Sequence, residues 1–339
     1  MKAVCSIVTS VVLAACAAGL PVPAFASLPH FPPAAEWQKN ISGAPVDPHS
    51  TRMLDTLASL GGWGHGNRLQ IDFALTVLHA DAGAPSRPLV KGINGYYDGE
   101  CAAPGFLFPL PRGGAIEDSP GYQCDPEEGD CHLLVVQGNR LYESYGSDVT
   151  GKGVESTCAV VWKLDKVYPP EGRGDHCTSA DAAGFPIAPL LLDADEVAAA
   201  LKKPGGDLGH ALRFILPNAR IAANVYVRPA SHAGGPKGPA DSVPYGARLR
   251  LKSDFDMQGY TPAARVILRT MQRYGIILAD GGNIALTAAN DRFSTAKWHD
   301  LGIGSHTFVN TGIPPRVTDF EVIDTGPRLG KSGRCDPHD

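Results

Sequence analysis

The sequence lacks the excess of basic residues that nucleic-acid binding requires. It has 30 Lys and Arg against 35 Asp and Glu among 339 residues, which gives a formal net charge of −5. Because the phosphate backbone is bound through basic surfaces, this balance argues against nucleic acid as a partner. Only 19% of the residues are charged and 43% are hydrophobic, which excludes a disordered tail and favours a globular protein with a buried core.

Familiar catalytic and cofactor motifs are also missing. The chain contains no G-x-S-x-G, no H-E-x-x-H, no glycine-rich phosphate loop and no G-x-G-x-x-G after a strand. It has no C-x-x-C pair, and its Cys and His neighbours are adjacent in sequence, which is poor spacing for one zinc ion. We therefore predict no cofactor. Residues 125–130 form an acidic loop that is the candidate for calcium, although the loop lacks EF-hand spacing.

The N-terminal segment is typical of a secretory signal peptide. Residues 1–26 combine a lysine, an apolar stretch and a final Ala24-Phe25-Ala26, which has the two small side chains of a signal-peptidase site. The apolar stretch is interrupted by polar residues and prolines, which does not suit a membrane span of about 20 residues. We expect a secreted or periplasmic protein without a transmembrane segment. A lipobox-like run ending at Cys16 offers lipid anchoring as the minor alternative.

Six cysteines remain after residue 26, and an even number in an exported chain predicts up to three disulfides. The sequence permits fifteen full pairings, and we favour those that join close neighbours. The favoured pairs are Cys124 with Cys131, Cys158 with Cys177, and Cys101 with Cys335.

Residues 27–130 are dense in glycine and proline, and we expect them to wrap around the core as a turn-rich N-terminal region. Residues 131–325 predict a β-rich core that forms one folded unit with this region, and residues 326–339 predict a tail. The clearest hairpin signal is Gly138-Asn139 between two apolar runs at residues 133–137 and 140–145.

Further strands are predicted at residues 159–164, 211–216, 222–227, 247–252, 276–279 and 319–323, and helices at residues 52–60, 193–203 and 261–274. Without a regular βαβ alternation, this order predicts a mainly β fold, antiparallel and sandwich-like, with two or three helices. An α+β fold is the alternative.

Four runs, at residues 178–184, 210–214, 244–252 and 274–280, together resemble a family of secreted bacterial proteins without an assigned activity. The similarity spans about residues 40–325. It implies export and a single folded unit, and it implies no reaction, substrate or catalytic residue.

Three acidic side chains stand out as candidates for catalysis. Glu143 shares a strand face with Leu141 and Tyr145, Asp181 lies among small residues, and Asp280 ends an apolar strand. Each position suits either a structural role, at a sheet edge, cap or turn, or a cleft in which burial raises the pKa of a carboxyl for general acid catalysis.

Basic and aromatic residues supply candidates for the rest of a site. His210 begins a strand on an apolar face, with Arg213 on the opposite face, and His232 lies on a loop. The row Arg248, Arg250 and Lys252 is displayed on one strand face, where it suits either solvent or the carboxylate or sulfate of an anionic ligand. Trp63 is the candidate for stacking on a sugar ring.

An exported, disulfide-bonded β protein with such residues favours a glycan-active enzyme. We expect a glycoside hydrolase in which two of Glu143, Asp181 and Asp280 act as acid and as base or nucleophile, with His210 as a further catalytic candidate. Arg213, His232, Arg248, Arg250 and Trp63 are the candidates for substrate binding, and the expected partner is an extracellular or periplasmic glycan. The alternatives are a lyase acting on a uronate-containing glycan, with His210 or His232 as base, and a non-catalytic carbohydrate-binding or envelope protein.

Overall fold

The computed structural model describes residues 28–337. The predicted signal peptide at residues 1–26 and the lipobox cysteine Cys16 lie outside the described residues. Within residues 28–337, no helix combines the length and the apolar character that crossing a membrane demands.

Sixteen strands and four helices are found in the described part of the chain. The strands are β1 Ile71–Leu75, β2 Val77–His79, β3 Ser86–Lys91, β4 Leu107–Pro109, β5 Leu133–Gln137, β6 Arg140–Tyr145, β7 Asp148–Val149, β8 Val154–Ser156, β9 Cys158–Lys163, β10 Leu212–Leu216, β11 Val225–Tyr226, β12 Arg248–Leu251, β13 Ile276–Gly281, β14 Leu286–Ala289, β15 Phe320–Val322 and β16 Leu329–Gly330. The helices are α1 Ser50–Ser59, α2 Gly64–Asn67, α3 Ala194–Leu201 and α4 Pro262–Arg273. The mainly β class with a few helices is confirmed.

The largest sheet has six strands in the order β1-β14-β10-β13-β12-β15. Its pairs are mixed, because β1 with β14 and β10 with β13 are parallel, whereas β10 with β14, β13 with β12 and β12 with β15 are antiparallel. In the described residues, eight of the twelve strand pairs are antiparallel, as the sequence predicts, and the four parallel pairs make three of the sheets mixed. Parallel pairs need long connections, which the turn-rich segments between strands provide.

A second sheet, in the order β2-β5-β6-β9, carries the predicted hairpin. β5 and β6 pair antiparallel from Leu133 with Ser144 to Gln137 with Arg140. Gly138 takes a φ of 59°, the left-handed conformation that a tight hairpin turn requires and that glycine adopts without a steric penalty. Two smaller sheets, β4-β3-β8-β7 and β11-β16, complete the fold.

Both longer predicted helices of the core region are present, and their ends follow from capping. The Asp193 side chain accepts a hydrogen bond from the Glu196 backbone N–H, 3.0 Å away, and begins α3. Thr261 caps α4 by accepting from the Ala264 N–H at 3.2 Å, and Pro262 occupies the first helical position. α3 packs on α4, and α4 packs on β12, so α4 connects α3 to the large sheet.

The N-terminal region does more than wrap around the core. It supplies β1, an edge strand of the large sheet, and α1, which packs on β15. Phe31, Trp37 and Trp63 from this region are buried in the main hydrophobic cluster together with residues of the large sheet. The expectation of a peripheral wrapping segment is thus corrected, because its few aromatic and aliphatic side chains fill the core.

All six cysteines after residue 26 form disulfides, as predicted. The Cys124–Cys131 pair is confirmed. The other two predicted pairings are wrong: Cys101 pairs with Cys158 and Cys177 with Cys335, at sequence separations of 57 and 158 residues. Sequence proximity favoured Cys158 with Cys177, but the fold places Cys158 in β9, next to the loop of Cys101.

Candidate active site

A cavity of about 390 Å³ opens where the large sheet meets the second sheet. Asp280 enters it from the end of β13, and Tyr145 enters it from the end of β6. The segment at residues 178–182 forms one wall, and the loop that carries His232 forms another. These walls are fixed to each other, because the Ala183 N–H bonds to the Ala279 carbonyl at 2.9 Å and the Ser231 N–H bonds to the Ala183 carbonyl at 3.1 Å.

Two of the predicted catalytic acids meet at this cavity through one guanidinium group. Arg213 on β10 donates from Nε to Asp181 Oδ2 at 2.7 Å and from Nη2 to Asp280 Oδ2 at 2.8 Å. The Nε and Nη2 groups form one edge of the guanidinium plane, an edge that often binds both oxygens of a single carboxylate. Here each group binds a different carboxylate, so Asp181 and Asp280 are held side by side.

The two carboxylates differ in exposure. The Asp181 side chain is fully buried, and its Oδ1 accepts a hydrogen bond from the Ala183 N–H at 3.1 Å. Its burial, opposed by Arg213 and reinforced by the neighbouring Asp280, raises the pKa of Asp181 to about 7. The Asp280 side chain is 20% exposed, and its Oδ1 accepts from the Gly281 N–H at 2.7 Å. Asp280 is therefore the member of the pair that a ligand in the cavity reaches more readily.

A third carboxylate, Asp130, lines the same cavity. Asp130 is exposed to solvent, but desolvation by the protein around its carboxyl, with the nearby Asp280 and Glu117, raises its pKa, whereas His132 and Arg213 act in the opposite direction. Sequence analysis missed Asp130 as a catalytic candidate, since it considered the loop at residues 125–130 only for calcium. In residues 28–337 no group of three or more His, Cys, Asp or Glu side chains is arranged to hold a metal ion.

A buried ion pair lies next to Asp130. His132 donates from Nδ1 to Glu117 Oε2 at 2.7 Å and from Nε2 to the Ala180 carbonyl at 3.0 Å. Since both ring nitrogens face acceptors, the imidazole carries two protons and a positive charge. Although burial opposes the charge, Glu117 and Asp130 raise the pKa of His132 to about 9. The pair ties the start of β5 to the 178–182 wall of the cavity.

Three tyrosines complete the lining. Tyr97 is 41% exposed, and its ring packs edge-on against His232 with the ring centroids 6.5 Å apart. Tyr145 stands at the end of β6, and Tyr245 is buried with its hydroxyl donating to Asn218 Oδ1 at 3.2 Å. Tyr145 belongs to a strand, whereas Tyr97 and Tyr245 lie in irregular segments far from it in the sequence, so no periodic pattern grouped the three.

Glu143 does not join this cavity. Its Oε1 accepts hydrogen bonds from the Ile187 and Ala188 N–H groups at 2.8 and 2.9 Å, and its Oε2 accepts from Trp162 Nε1 at 3.0 Å. The carboxyl is fully buried, and this burial raises its pKa to about 7. Glu143 therefore connects β6 to the 3₁₀ turn at Ala188–Leu190 and to β9, which is a structural arrangement.

His210 is likewise engaged elsewhere. It donates from Nδ1 to the Ala211 carbonyl at 2.8 Å and from Nε2 to Glu196 Oε2 at 3.0 Å. Glu196 also contacts His30 Nε2 at 2.6 Å, so a buried carboxylate bridges two imidazoles beside α3. These histidines lower the pKa of Glu196 to about 2 although its burial acts in the opposite direction.

Arg248 and Arg250 are buried, and the N-terminal region covers them. Arg248 donates to the carbonyls of Tyr274, Glu36 and Lys39 at 2.7 to 2.9 Å. Arg250 donates to the carbonyls of Ile41 and Ala44 and to Glu321 Oε1. The two guanidinium groups thus fasten the segment at residues 36–44 to β12 and do not line the cavity.

Trp63, the predicted stacking residue, is fully buried. Its Nε1 donates to the Pro315 carbonyl at 2.9 Å, and its ring packs edge-on against Phe214 and Phe320. A core position leaves no ring face open to a sugar. The structure thus brings Asp181, Asp280, Arg213 and His232 together and places Glu143, His210, Arg248, Arg250 and Trp63 elsewhere.

In comparisons with known proteins, no family model, no curated protein and no solved structure matches the chain.

Proposed function

We propose that the protein is an exported glycan-active enzyme, a glycoside hydrolase whose acidic residues are those of the cavity. The observation that carries the proposal is the meeting of Asp130, Asp181 and Asp280 in one cavity of about 390 Å³, with Arg213 behind two of them. Glycoside hydrolysis needs one carboxyl that keeps its proton and one carboxylate that faces the sugar ring. Three disulfides support the export, because disulfides persist in oxidising compartments.

Asp130 is the proposed general acid. A raised pKa keeps a larger fraction of this carboxyl protonated near neutral pH, which general acid catalysis requires. Asp130 lines the cavity, and Arg213 bonds to Asp181 and Asp280 instead, so the proton of Asp130 can pass to the glycosidic oxygen as the bond breaks.

Asp280 is the proposed carboxylate on the sugar side. Its ion pair with Arg213 and its bond from the Gly281 N–H fix both oxygens in place. A fixed anion stabilises the positive charge that develops at the anomeric carbon, and it does so without reorganisation during the reaction. Asp181, fully buried, holds the other side of Arg213 and so positions the guanidinium group for Asp280.

The lining favours an uncharged sugar over a uronate. Three carboxylates and no lysine or arginine line the cavity as far as the structure describes the chain. Arg213 behind the lining is already paired with two carboxylates, and Arg248 and Arg250 serve backbone carbonyls instead. Tyr97, with 41% of its surface exposed, offers the apolar ring on which a neutral sugar can stack. The hydrolase is therefore favoured over the uronate lyase.

The test compares leaving groups in the full-length, oxidised protein. The probes are 4-nitrophenyl glycosides of neutral hexoses and pentoses, and oligosaccharides of the sugar that is cleaved. Asp130→Asn should slow hydrolysis of the oligosaccharide by about 10²–10⁴-fold, because its leaving group needs a proton. The nitrophenyl glycoside, whose leaving group departs as an anion, should be affected much less.

The matched control is Asp254→Asn, which removes an exposed carboxylate outside the cavity lining. It should leave both rates unchanged. Equal rates of Asp130→Asn and wild type on the oligosaccharide would refute the role of Asp130. Saturable binding of the neutral oligosaccharides without any product would refute the hydrolase and leave a carbohydrate-binding protein.

A further inference from the structure

His232 differs from the buried histidines His132 and His210 because one of its ring nitrogens has no hydrogen-bond partner among residues 28–337. Nδ1 lies 2.9 Å from the Ala182 carbonyl, which can only accept, so Nδ1 carries the proton of this bond. The structure gives Nε2 no hydrogen-bond partner among residues 28–337. His132 and His210, in contrast, have acceptors at both nitrogens.

The surroundings of His232 favour the neutral ring. Burial is the largest influence and lowers the pKa of His232, and Lys331 and His176 lower it further. The Ala182 carbonyl and Glu100 act in the opposite direction, and Tyr97 packs against the ring edge. A neutral imidazole with its proton on Nδ1 has a lone pair on Nε2.

This lone pair belongs to a side chain that lines the candidate active site. Nδ1 is turned to the wall at Ala182, so Nε2, on the other edge of the ring, is the nitrogen left for the contents of the cavity. Both oxygens of Asp280 already accept hydrogen bonds from Arg213 and Gly281. His232 is therefore the lining group that is best prepared to accept a proton.

We propose that His232 is the general base of the site and deprotonates the attacking water. The inference rests on the proposed hydrolase function. As the water oxygen bonds to the anomeric carbon, one water proton passes to Nε2. The glycosidic C–O bond breaks in the same step, and its oxygen takes the proton of Asp130. The imidazolium formed keeps its Nδ1–H bond to Ala182 and returns its proton to solvent, while Asp130 regains one.

A base of this kind gives the activity an acidic limb. His232 must be neutral to accept a proton, and burial favours the neutral ring by lowering its pKa, so kcat/KM should fall at low pH, where the imidazole is protonated. The general acid Asp130 loses activity in the opposite direction, as the pH rises. The two groups together predict a bell-shaped pH profile.

The decisive variant is His232→Asn. The asparagine amide can replace the Nδ1–H donor toward the Ala182 carbonyl, whereas nothing replaces Nε2. We expect kcat on the neutral oligosaccharide to fall about 10²–10⁴-fold with KM nearly unchanged, the acidic limb to vanish, and added imidazole to restore part of the rate. His299→Asn, at a 99% exposed side chain, is the control and should behave as wild type.

Three outcomes separate this inference from the proposed function. Loss of activity in Asp130→Asn with full activity and an intact acidic limb in His232→Asn would overturn the role of His232 alone. Full activity in both variants would overturn the proposed hydrolase site and the role of His232 together. Independently of catalysis, long-range ¹H–¹⁵N spectra of the wild-type protein should show neutral His232 as the Nδ1–H tautomer, and an Nε2–H tautomer would overturn the inference.

Discussion

Glu143→Gln offers the sharpest test of the division between structural and catalytic acids. In the wild type, Oε1 of Glu143 accepts from two backbone N–H groups and Oε2 accepts from Trp162 Nε1. Glutamine can keep the bonds at Oε1, but its NH₂ group faces the indole N–H and cannot accept from it. A buried donor without an acceptor costs about 1–3 kcal/mol, so the variant should be less stable by that amount at pH 4.5.

The difference should shrink as the pH rises. The pKa of Glu143 lies near 7 in the folded protein, raised by burial from an ordinary value of 4.5. A raised carboxyl pKa means that the folded state binds the proton more tightly. The resulting stabilisation is complete below pH 4.5 and is lost as the pH rises through about 7. It amounts to on the order of 3 kcal/mol in the wild type and is absent in the glutamine variant.

The assay is urea unfolding of both proteins, with disulfides intact, at half-unit steps from pH 4.5 to 8, followed by tryptophan fluorescence. The other titrating groups are shared by both proteins and cancel in the difference between their free energies of unfolding. The wild type should have the higher free energy of unfolding at pH 4.5, and this difference should disappear or change sign by pH 8. A difference that does not change with pH would refute this account of Glu143. So would a stable variant that has lost glycoside hydrolysis.

Two further predictions concern the bonds that hold the site and the tail. Arg213→Met should lower the free energy of unfolding by about 3–5 kcal/mol at pH 7, because it leaves the buried carboxylate of Asp181 and the partly exposed one of Asp280 without their cation. Urea unfolding measures the loss, with the exposed Arg265→Met as the control, and equal stability of the two variants would contradict the geometry. Replacing Cys177 and Cys335 by serine should cost about 5 kcal/mol, and replacing Cys124 and Cys131 about 2.5 kcal/mol, because the unfolded chain gains more freedom from the longer loop. A larger loss from the pair with 7 residues of separation than from the pair with 158 would contradict this ordering.

Local patterns allowed much of the secondary structure to be predicted. The Gly138-Asn139 turn and the two apolar runs beside it predicted β5 and β6, and the helical patterns at residues 193–203 and 261–274 predicted α3 and α4. Each of these patterns depends only on residues that are neighbours in the sequence. The parallel pairs within the mainly antiparallel fold were not predicted, since the choice between parallel and antiparallel pairing depends on long connections that leave no periodic trace.

The candidate site was only partly predictable, because a sequence pattern can indicate that a polar side chain is buried but does not indicate which groups it bonds to. The alternation along β6 placed Glu143 on an apolar face, and the structure confirms its burial there. Its bonding by Ile187 and Ala188 depends on a segment more than 40 residues away. Similarly, the strand alternation placed Arg248 and Arg250 on one face, and only the folded N-terminal region shows that its carbonyls occupy them.

The choice of close neighbours in sequence gave two wrong disulfide pairings. The acidic composition of the loop at residues 125–130 pointed to calcium, so Asp130 was not recognised as a cavity residue. The loop at residues 125–130 suggested calcium by its composition, whereas its last residue reaches the cavity because the Gly146 N–H bonds to the Asp130 carbonyl at 2.9 Å. This contact joins the loop to the end of β6, next to Tyr145. No pattern within the loop itself encodes it.

The initial rate of glycoside hydrolysis by Asp280→Asn tests the central claim most directly. The matched control is Glu321→Gln, which removes the charge of another partly exposed carboxylate that pairs with an arginine on the same sheet, 3.1 Å from Arg250 and outside the cavity lining. If the carboxylates of the cavity perform the chemistry, Asp280→Asn should lose at least about 10²-fold in kcat, the scale of one electrostatic catalytic contact, while Glu321→Gln retains the wild-type rate. Equal rates in the two variants would contradict the account.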